Sequence, residues 1–597
     1  MTTTGILKHK SAEEMQLLMK VALGQQNADL VIINANIVNV YTGEVLDNYA
    51  ISVIDKWIAY VGKNVADAIG PQTEVIDARG QTVIPGLIDG HAHIAWMFTP
   101  SEFIKFAAAR GTTTVVTETL EPYPVSGYAG VVDFLESLKD QPIKILTTAP
   151  AMASISSAAR GILSEDLANL LARSDVIGLG ESYWQSVLQD SERMLSNFEQ
   201  TLKAGKTLEG HTAGASDKKL AAYVATGISS CHEPINANQV LDRLRLGLHI
   251  LVREGSVRRD LEEISKIKDA SIDLRRLILS TDGVAPRDLL EKGYMEYVLQ
   301  KAINCGFDPI AAIQMSTLNV AEHFYLDSAI GGIAPGRFAD LVIIPDIKTI
   351  DAKLVLSNGK VIARKGKLTA APRRHNFTAE SRNSVRLPRS MKPSDFAITA
   401  GRDTADAQVR IINMVTDLVT AELEMSWPVT GGELNANANQ DVIKIAAIDR
   451  THNPGKMTVG LIKGLGLKSG AMACSASWDT SDIIVVGTND EDMTYAVNRI
   501  HQLQGAAIIC KEGEILAELP LPIFGIMSDL SIEAIAESLE KIKSTAAELG
   551  ISFPDPLLTL ITLTGAAIPY LRICEEGMVN LKDGRIKSLF VEQGGGE

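Results

Sequence analysis

The sequence predicts an α/β protein: a TIM-like (β/α)8 barrel, a composite β-sandwich domain split around it in the chain, and a C-terminal α/β domain. Three observations carry that expectation. Between Pro85 and Gly336 a short apolar run ending in a polar side chain recurs eight times, with helical patterns such as Ser101 to Arg110 and Ala215 to Thr226 between the runs. Alternating β patterns lie on both sides of that stretch, and a separate series of strand and helix patterns begins near Trp427.

Taken in order, Ala28 to Gly62 alternates apolar and polar residues in short blocks broken by turns such as Tyr41-Thr42-Gly43, the pattern of a small antiparallel sheet. The pattern returns at Ala339–Ile344 and Lys353–Ile362, so the simplest account is one β domain made from both flanks of an inserted one. The expected barrel strands end at His91 and His93, Glu118, Thr148, Glu181, His211, His232, Arg253 and Asp282. Side chains at the carboxyl ends of barrel strands converge on one face, where such folds place chemistry. Residues rich in Arg, Lys, Pro and Ser then read as a linker. Val442–Ala446, Ile483–Asp490, Glu491–Gln502 and Ala506–Cys510 mark strand, strand, helix and strand in the last domain. The expected boundaries are 1–84 and 337–385 for the composite β domain, 85–336 for the barrel, 386–425 for the linker and 426–597 for the C-terminal domain.

With 597 residues, 46% hydrophobic and 22% charged, the chain has the composition of a globular protein of several domains. A net charge of −15 and a pI near 5.3 exclude a phosphate-binding surface, so nucleic acid is not an expected partner. Met1 to Gln25 has no apolar leader-like core and no later run approaches a bilayer span, so neither a membrane nor an export route is expected, and the reading is cytoplasmic. The five cysteines are scattered without a CxxC, which excludes a thiolate zinc site, and Cys231 reads as a packed thiol.

Val83-Ile84-Pro85-Gly86-Leu87-Ile88-Asp89-Gly90-His91-Ala92-His93 declares the chemistry. Two residues apart on a strand means one face, so His91 and His93 share a target. With Glu181, His211, His232 and Asp282 they make four imidazoles and two carboxylates at strand ends. This N/O set suits Zn²⁺, Mn²⁺, Fe²⁺ or Co²⁺ rather than Ca²⁺ or Mg²⁺. A carboxylate among the histidines can bridge two cations, which lower the pKa of their water from about 16 toward about 7. Asp282, last in the series, is placed to accept the proton and return it to a leaving group. Buried, hydrogen-bonded histidines, a helix N-terminal Glu181 and a helix-capping Asp282 are the structural alternatives.

The order HxH, strand-four carboxylate, His, His, Asp resembles the amidohydrolase superfamily, and along most of its length the chain resembles bacterial adenine deaminases. Pro85–His93, Thr99–Phe103, Gly210-His211, His232-Glu233, Arg253–Ser256, Thr281-Asp282, Thr317–His323 and Ala334–Asp340 carry the likeness. So do Gly464–Lys468, Val485–Met493 and Leu519–Pro522 in the last domain. The resemblance implies a divalent transition metal, two per chain, with Mn or Fe favoured and Zn possible. It also implies attack of metal-bound hydroxide on C6 of adenine, giving hypoxanthine and ammonia. Glu121 and Glu118 would hold a ring nitrogen or protonate the departing amine. Trp96 and Trp478, outside that resemblance, read either as stacking surfaces for a flat ring or as core aromatics. A small heterocyclic base is then the partner, and a homodimer or larger homo-oligomer is expected. The chain departs from the family near the substrate. Glu118-Thr119-Leu120-Glu121 stands where adenine deaminases carry Asp-Pro-His-Glu, Ala95-Trp96-Met97 replaces Glu-Ser-Ser, and Trp478 replaces a His. Two other readings therefore stay open: another cyclic amidine or amide (an aminopurine, a pterin, a hydantoin-like ring), and a degenerate member with a binding role.

Overall fold

The computed structural model describes residues 10–400 and 405–591. Strand Leu30–Asn39 lies inside a nine-stranded sheet to which both flanks of the barrel contribute. The flanks meet where Thr82–Pro85 runs antiparallel to Leu341–Ile344, with Val83 opposite Ile343. Period-two alternation explains its two faces. Leu30, Ile32, Ile51, Val53, Val83, Leu341 and Ile343 form one buried cluster, while Val31, Ala50, Ile54 and Ala59 pack with Val21 of helix Ala12–Ala22. A reciprocal cap between Ser11 and Glu14 starts that helix, an interaction worth about 1 kcal/mol.

Eight parallel strands follow: Leu87–Ala92, Thr112–Thr117, Lys144–Ala149, Val176–Tyr183, Thr207–His211, Ser230–Cys231, His249–Arg253 and Leu277–Ser280. Backbone bonds close the seams. Ser229 N donates to Leu208 O at 3.0 Å between strands five and six. Asp282 N donates to His91 O at 3.0 Å, and His93 N to Asp282 O at 2.7 Å, between strands eight and one. Ile88, Val116, Leu146, Ile177, Leu251 and Ile278 fill the interior together with Val320 and Phe324, whereas Leu87, Val115, Ile145, Leu208, Ile250 and Leu279 pack outward. The same alternation carries function: on strand five Leu208 joins the outer core and leaves Glu209 and His211 on the other face. Asp282 shares its face with Ile278, two pleats beyond it.

The last domain is built on a ten-stranded, mostly antiparallel sheet. Helix Asp490–Leu503 covers one face through Met493, Ala496, Val497 and Ile500, against Ala446, Ile448, Ile483 and Val485. Residues of the opposite face, among them Ile443, Ile445, Ile484 and Val486, belong to the same continuous core as the barrel's outer layer. Residues 386–425, expected as a linker, are corrected here. Their second half enters this sheet, with Asp406–Met414 paired antiparallel to Thr420–Thr430. Arg410 bridges Glu422 and Glu424 across that pair, so the charges that resemble a solvated linker are cross-strand partners.

This domain also reaches the catalytic face of the barrel. Met527–Ser528 pairs in parallel with Met97–Phe98, just beyond His93, and Ser156 of the loop after strand three donates to Glu575 at 2.8 Å. Among the described residues no helix is long and apolar enough to cross a membrane.

Candidate active site

Five strand ends deliver six side chains to one place. His91 lies at the end of strand one, His93 just beyond it, Glu181 in strand four and His211 at the end of strand five. His232 follows strand six and Asp282 lies two residues past strand eight. All six are buried. Glu181 Oε1 is 3.1 Å from Nε2 of His91, 3.1 Å from Nε2 of His93 and 3.5 Å from Nε2 of His232. Asp282 Oδ1 lies 3.3 Å from His93 Nε2 and 3.7 Å from His91 Nε2. Ligand atoms of His91, His93, Glu181 and Asp282 all fall within 4.8 Å of one another, as do those of Glu181, His211 and His232. Asp282 has φ +63°, a left-handed conformation uncommon for a side-chain-bearing residue, and the two backbone bonds to the first strand hold it there.

The donor chemistry fits divalent transition cations. His91 Nε2 and His211 Nδ1 are buried and have no hydrogen-bond partner among the described residues. Such orphaned lone pairs are costly in a dry interior unless something takes them. The opposite ring nitrogens face carboxylates: His93 Nδ1 bonds Glu121 Oε1 at 2.7 Å, His211 Nε2 lies 3.2 Å from Glu233 Oε1, and His91 Nδ1 lies 3.7 Å from Glu118 Oε1. This outer ring is what fixes the tautomer and tilt of a metal-binding imidazole.

It also bears on two of the expected site residues. Glu118 and Glu121, expected against the substrate, stand behind the histidines, and neither is part of the cavity wall described below. A histidine that offers one nitrogen to a cation needs an acceptor for the other, and these two acids occupy that side. Gly180 makes room for the arrangement, since a Cβ there would sit 1.9 Å from Glu118 Oε2.

Charge is distributed accordingly. Burial opposes ionisation of Glu181, yet His232, His91 and His93 outweigh it and hold the carboxyl well below its usual range. Burial, then His91, hold His232 well below the usual imidazole range, whereas the carboxylates facing His91, His93 and His211 outweigh burial and raise those three rings. Burial pushes Glu118 up to about 7.

Above the cluster lies a cavity of about 430 Å³, within the range of small-molecule sites. Glu181, His211, His232, Asp282, Glu233 and Arg253 line it from the barrel, and Trp478, Ile568 and Pro569 from the last domain. A smaller cavity of about 200 Å³ is lined by His93, Trp96, Met97, Val284 and Leu557, with Trp478 common to both. The Trp478 ring is 5.6 Å from that of His93 and 5.1 Å from that of Trp96. Next to it, Asp479 accepts from Tyr183 Oη at 3.1 Å, and the Tyr183 ring packs edge-on against His211 at 4.8 Å. Burial raises Asp479 to about 7. Cys231 is a packed thiol, 2.7 Å from Thr212 Oγ1.

Sequence reasoning gave no role to Arg253, Glu233, Tyr183 or Asp479. Arg253 did stand at a strand end, the signal that found the histidines. Asp479 had no local signal, because its partner is 296 residues away.

Comparison with known proteins agrees with this architecture. The model of the amidohydrolase family matches residues 82–363, and that of the adenine deaminase C-terminal domain matches residues 417–585. A curated adenine deaminase from Clostridium botulinum (strain Langeland / NCTC 10281 / Type F) is 34% identical over 97% of this chain and 98% of its own length. The adenine deaminase of Cenarchaeum symbiosum is 35% identical over 95% and 93%, and that of Kosmotoga olearia 35% identical over 97% and 99%. An amidohydrolase barrel implies a divalent metal, and His91, His93, Glu181 and Asp282 form a candidate site for it. With both domains matched and relatives aligned from end to end, the chain belongs to the adenine deaminase family of the amidohydrolases.

Proposed function

We propose that the protein hydrolyses adenine to hypoxanthine and ammonia. The observation that carries this reading is the convergence of four imidazoles and two carboxylates beneath a cavity roofed by the last domain, in a chain of this family. His91, His93, Glu181 and Asp282 would hold one divalent cation, and Glu181, His211 and His232 a second, with manganese or iron favoured and zinc admissible. The chemistry that bound cations supply here is acidification of water from about 16 toward about 7.

The chain's own groups do the rest. Asp282 Oδ1, beside the first histidine pair, takes the proton of the attacking water and returns it to the amine leaving C6. Trp478, on the wall of both cavities, and Trp96, on the wall of the smaller one, would pack against the ring. Glu121 and Glu233 orient His93 and His211. Those two aromatic walls also favour a second reading, deamination of another flat aminated heterocycle on the same residues.

Stripped and reloaded with Mn²⁺ or Fe²⁺, the protein should release one ammonia and one hypoxanthine per adenine, and Asp282→Asn should abolish both. Loaded protein inert toward adenine but active on another ring of a panel would replace the substrate. We further assign the domains as 1–84 with 337–385, 85–336, and a last domain that begins before residue 406, in a cytoplasmic homodimer or larger homo-oligomer.

A further inference from the structure

The geometry points to Arg253 as a positioning residue that fixes the proton acceptor Asp282 and, through Glu233, the histidine pair on the other side of the cavity. The inference rests on the deaminase reading. Arg253 ends strand seven, between the strand that carries His232 and the one that carries Asp282, and its side chain is buried. A single nitrogen, Nη1, donates to Glu233 Oε1 and lies 3.4 Å from Asp282 Oδ2. The other, Nη2, donates to Asp260 Oδ2 at 3.1 Å, and Arg258 holds the second oxygen of Asp260 at 3.1 Å. The guanidinium is thus set from behind before it meets the site.

What it fixes follows from the two oxygens of Asp282. Oδ1 faces His93 and His91 at 3.3 and 3.7 Å, and Oδ2 is turned to Arg253. The oxygens of a free carboxylate exchange by rotation about the last side-chain bond. A cation on one of them decides which oxygen faces the reacting water. On the opposite wall, Glu233 Oε1 sits 3.2 Å from His211 Nε2 and 3.4 Å from His232 Nε2, so its anchor on Arg253 sets the tilt of both rings. Only a planar guanidinium, with several donors in one fixed fork, reaches both carboxylates and Asp260 at once. A lysine ammonium in its place would be a point charge without that fork.

The test compares wild-type protein with Arg253→Ala, Arg253→Lys and the milder Asp260→Asn, which leaves the guanidinium present but loosens it. Each is assayed for kcat and KM with adenine, for metal content, and, loaded with Co²⁺, for the visible absorption band that reports ligand geometry. Arg253→Ala should lose about 10²- to 10³-fold in kcat, the usual effect of deleting one preorganised polar group, with a smaller change in KM. Added guanidinium ion should restore a measurable part of that rate and move the Co²⁺ band back toward wild type. Arg253→Lys should not be rescued, and Asp260→Asn should fall between. Wild-type kcat and an unmoved band in the folded, metal-replete Arg253→Ala and Asp260→Asn proteins would overturn the inference, as would a loss that guanidinium leaves unchanged in both readouts. If wild-type protein were inert toward adenine while the band still shifted and was restored, the deaminase reading would fail and the positioning role would stand.

Discussion

Glu181→Gln is the sharpest perturbation the site offers, because Glu181 alone belongs to both groups of candidate ligands. The substitution keeps the volume and removes one negative charge from the point where Nε2 of His91, His93 and His232 meet within 3.5 Å. Two unit charges about 4 Å apart interact by about 4 kcal/mol at an effective dielectric constant of about 20. At about 1.4 kcal/mol per decade that is roughly a thousandfold in affinity. A divalent ion on either side of the carboxylate feels the loss, so both positions should empty together. Asp282→Asn makes the contrast, since Asp282 belongs only to the first group and the His211 and His232 position should survive it. Calorimetric titration of chelator-stripped protein with Mn²⁺, followed by elemental analysis after gel filtration, reads both effects. Two ions retained by Glu181→Gln with near wild-type affinity would refute the shared-ligand reasoning.

Other outcomes follow from the same geometry. Glu121→Gln, which weakens the acceptor behind His93 without touching the cavity, should lower metal affinity about 10- to 100-fold while the thermal unfolding midpoint stays near wild type. Trp478→Ala, at the wall common to both cavities, should raise the KM for adenine about 5- to 150-fold, on the basis that aromatic stacking on a base contributes about 1–3 kcal/mol. Asp133 supplies the pH dependence of stability away from the site. Burial raises its pKa, but bonds from Ser381, His375 and Thr378 outweigh burial and hold the carboxyl below its usual range. A depressed folded-state pKa stabilises above the unfolded value of about 3.9, and that contribution is lost as pH falls through the folded one. Calorimetric scans from pH 7 to 3 should therefore show a shallower acid decline in Asp133→Asn than in wild type, from a lower midpoint at neutral pH.

The histidines and both carboxylates were legible in the sequence because barrel geometry turns a strand end into a place. A polar residue closing an apolar run can be assigned to the catalytic face without knowing its neighbours. Glu118 and Glu121 show the limit of that rule. Their position near the site was readable, but whether a loop carboxylate faces the cavity or the back of an imidazole depends on side-chain packing that spacing does not encode. Arg253 was visible at its strand end, and only the observed contacts with Glu233, Asp260 and Asp282 give it a role. The strand Asp406–Met414 carries a readable signal, since Asp406, Gln408 and Arg410 alternate with Ala407, Val409 and Ile411, but the Arg-, Lys-, Pro- and Ser-rich residues before it mask where the linker ends. Trp478 and Asp479 meet the barrel through tertiary contacts spanning hundreds of residues, and no local pattern announces such a meeting.

Crystals grown with Mn²⁺ and measured at a wavelength where manganese scatters anomalously would locate the bound ions directly. The arrangement described above requires two peaks on either side of the Glu181 carboxylate, one against His91, His93 and Asp282 and the other against His211 and His232. A map from fully loaded protein with no peak among these side chains, or with its peaks elsewhere in the chain, would contradict it.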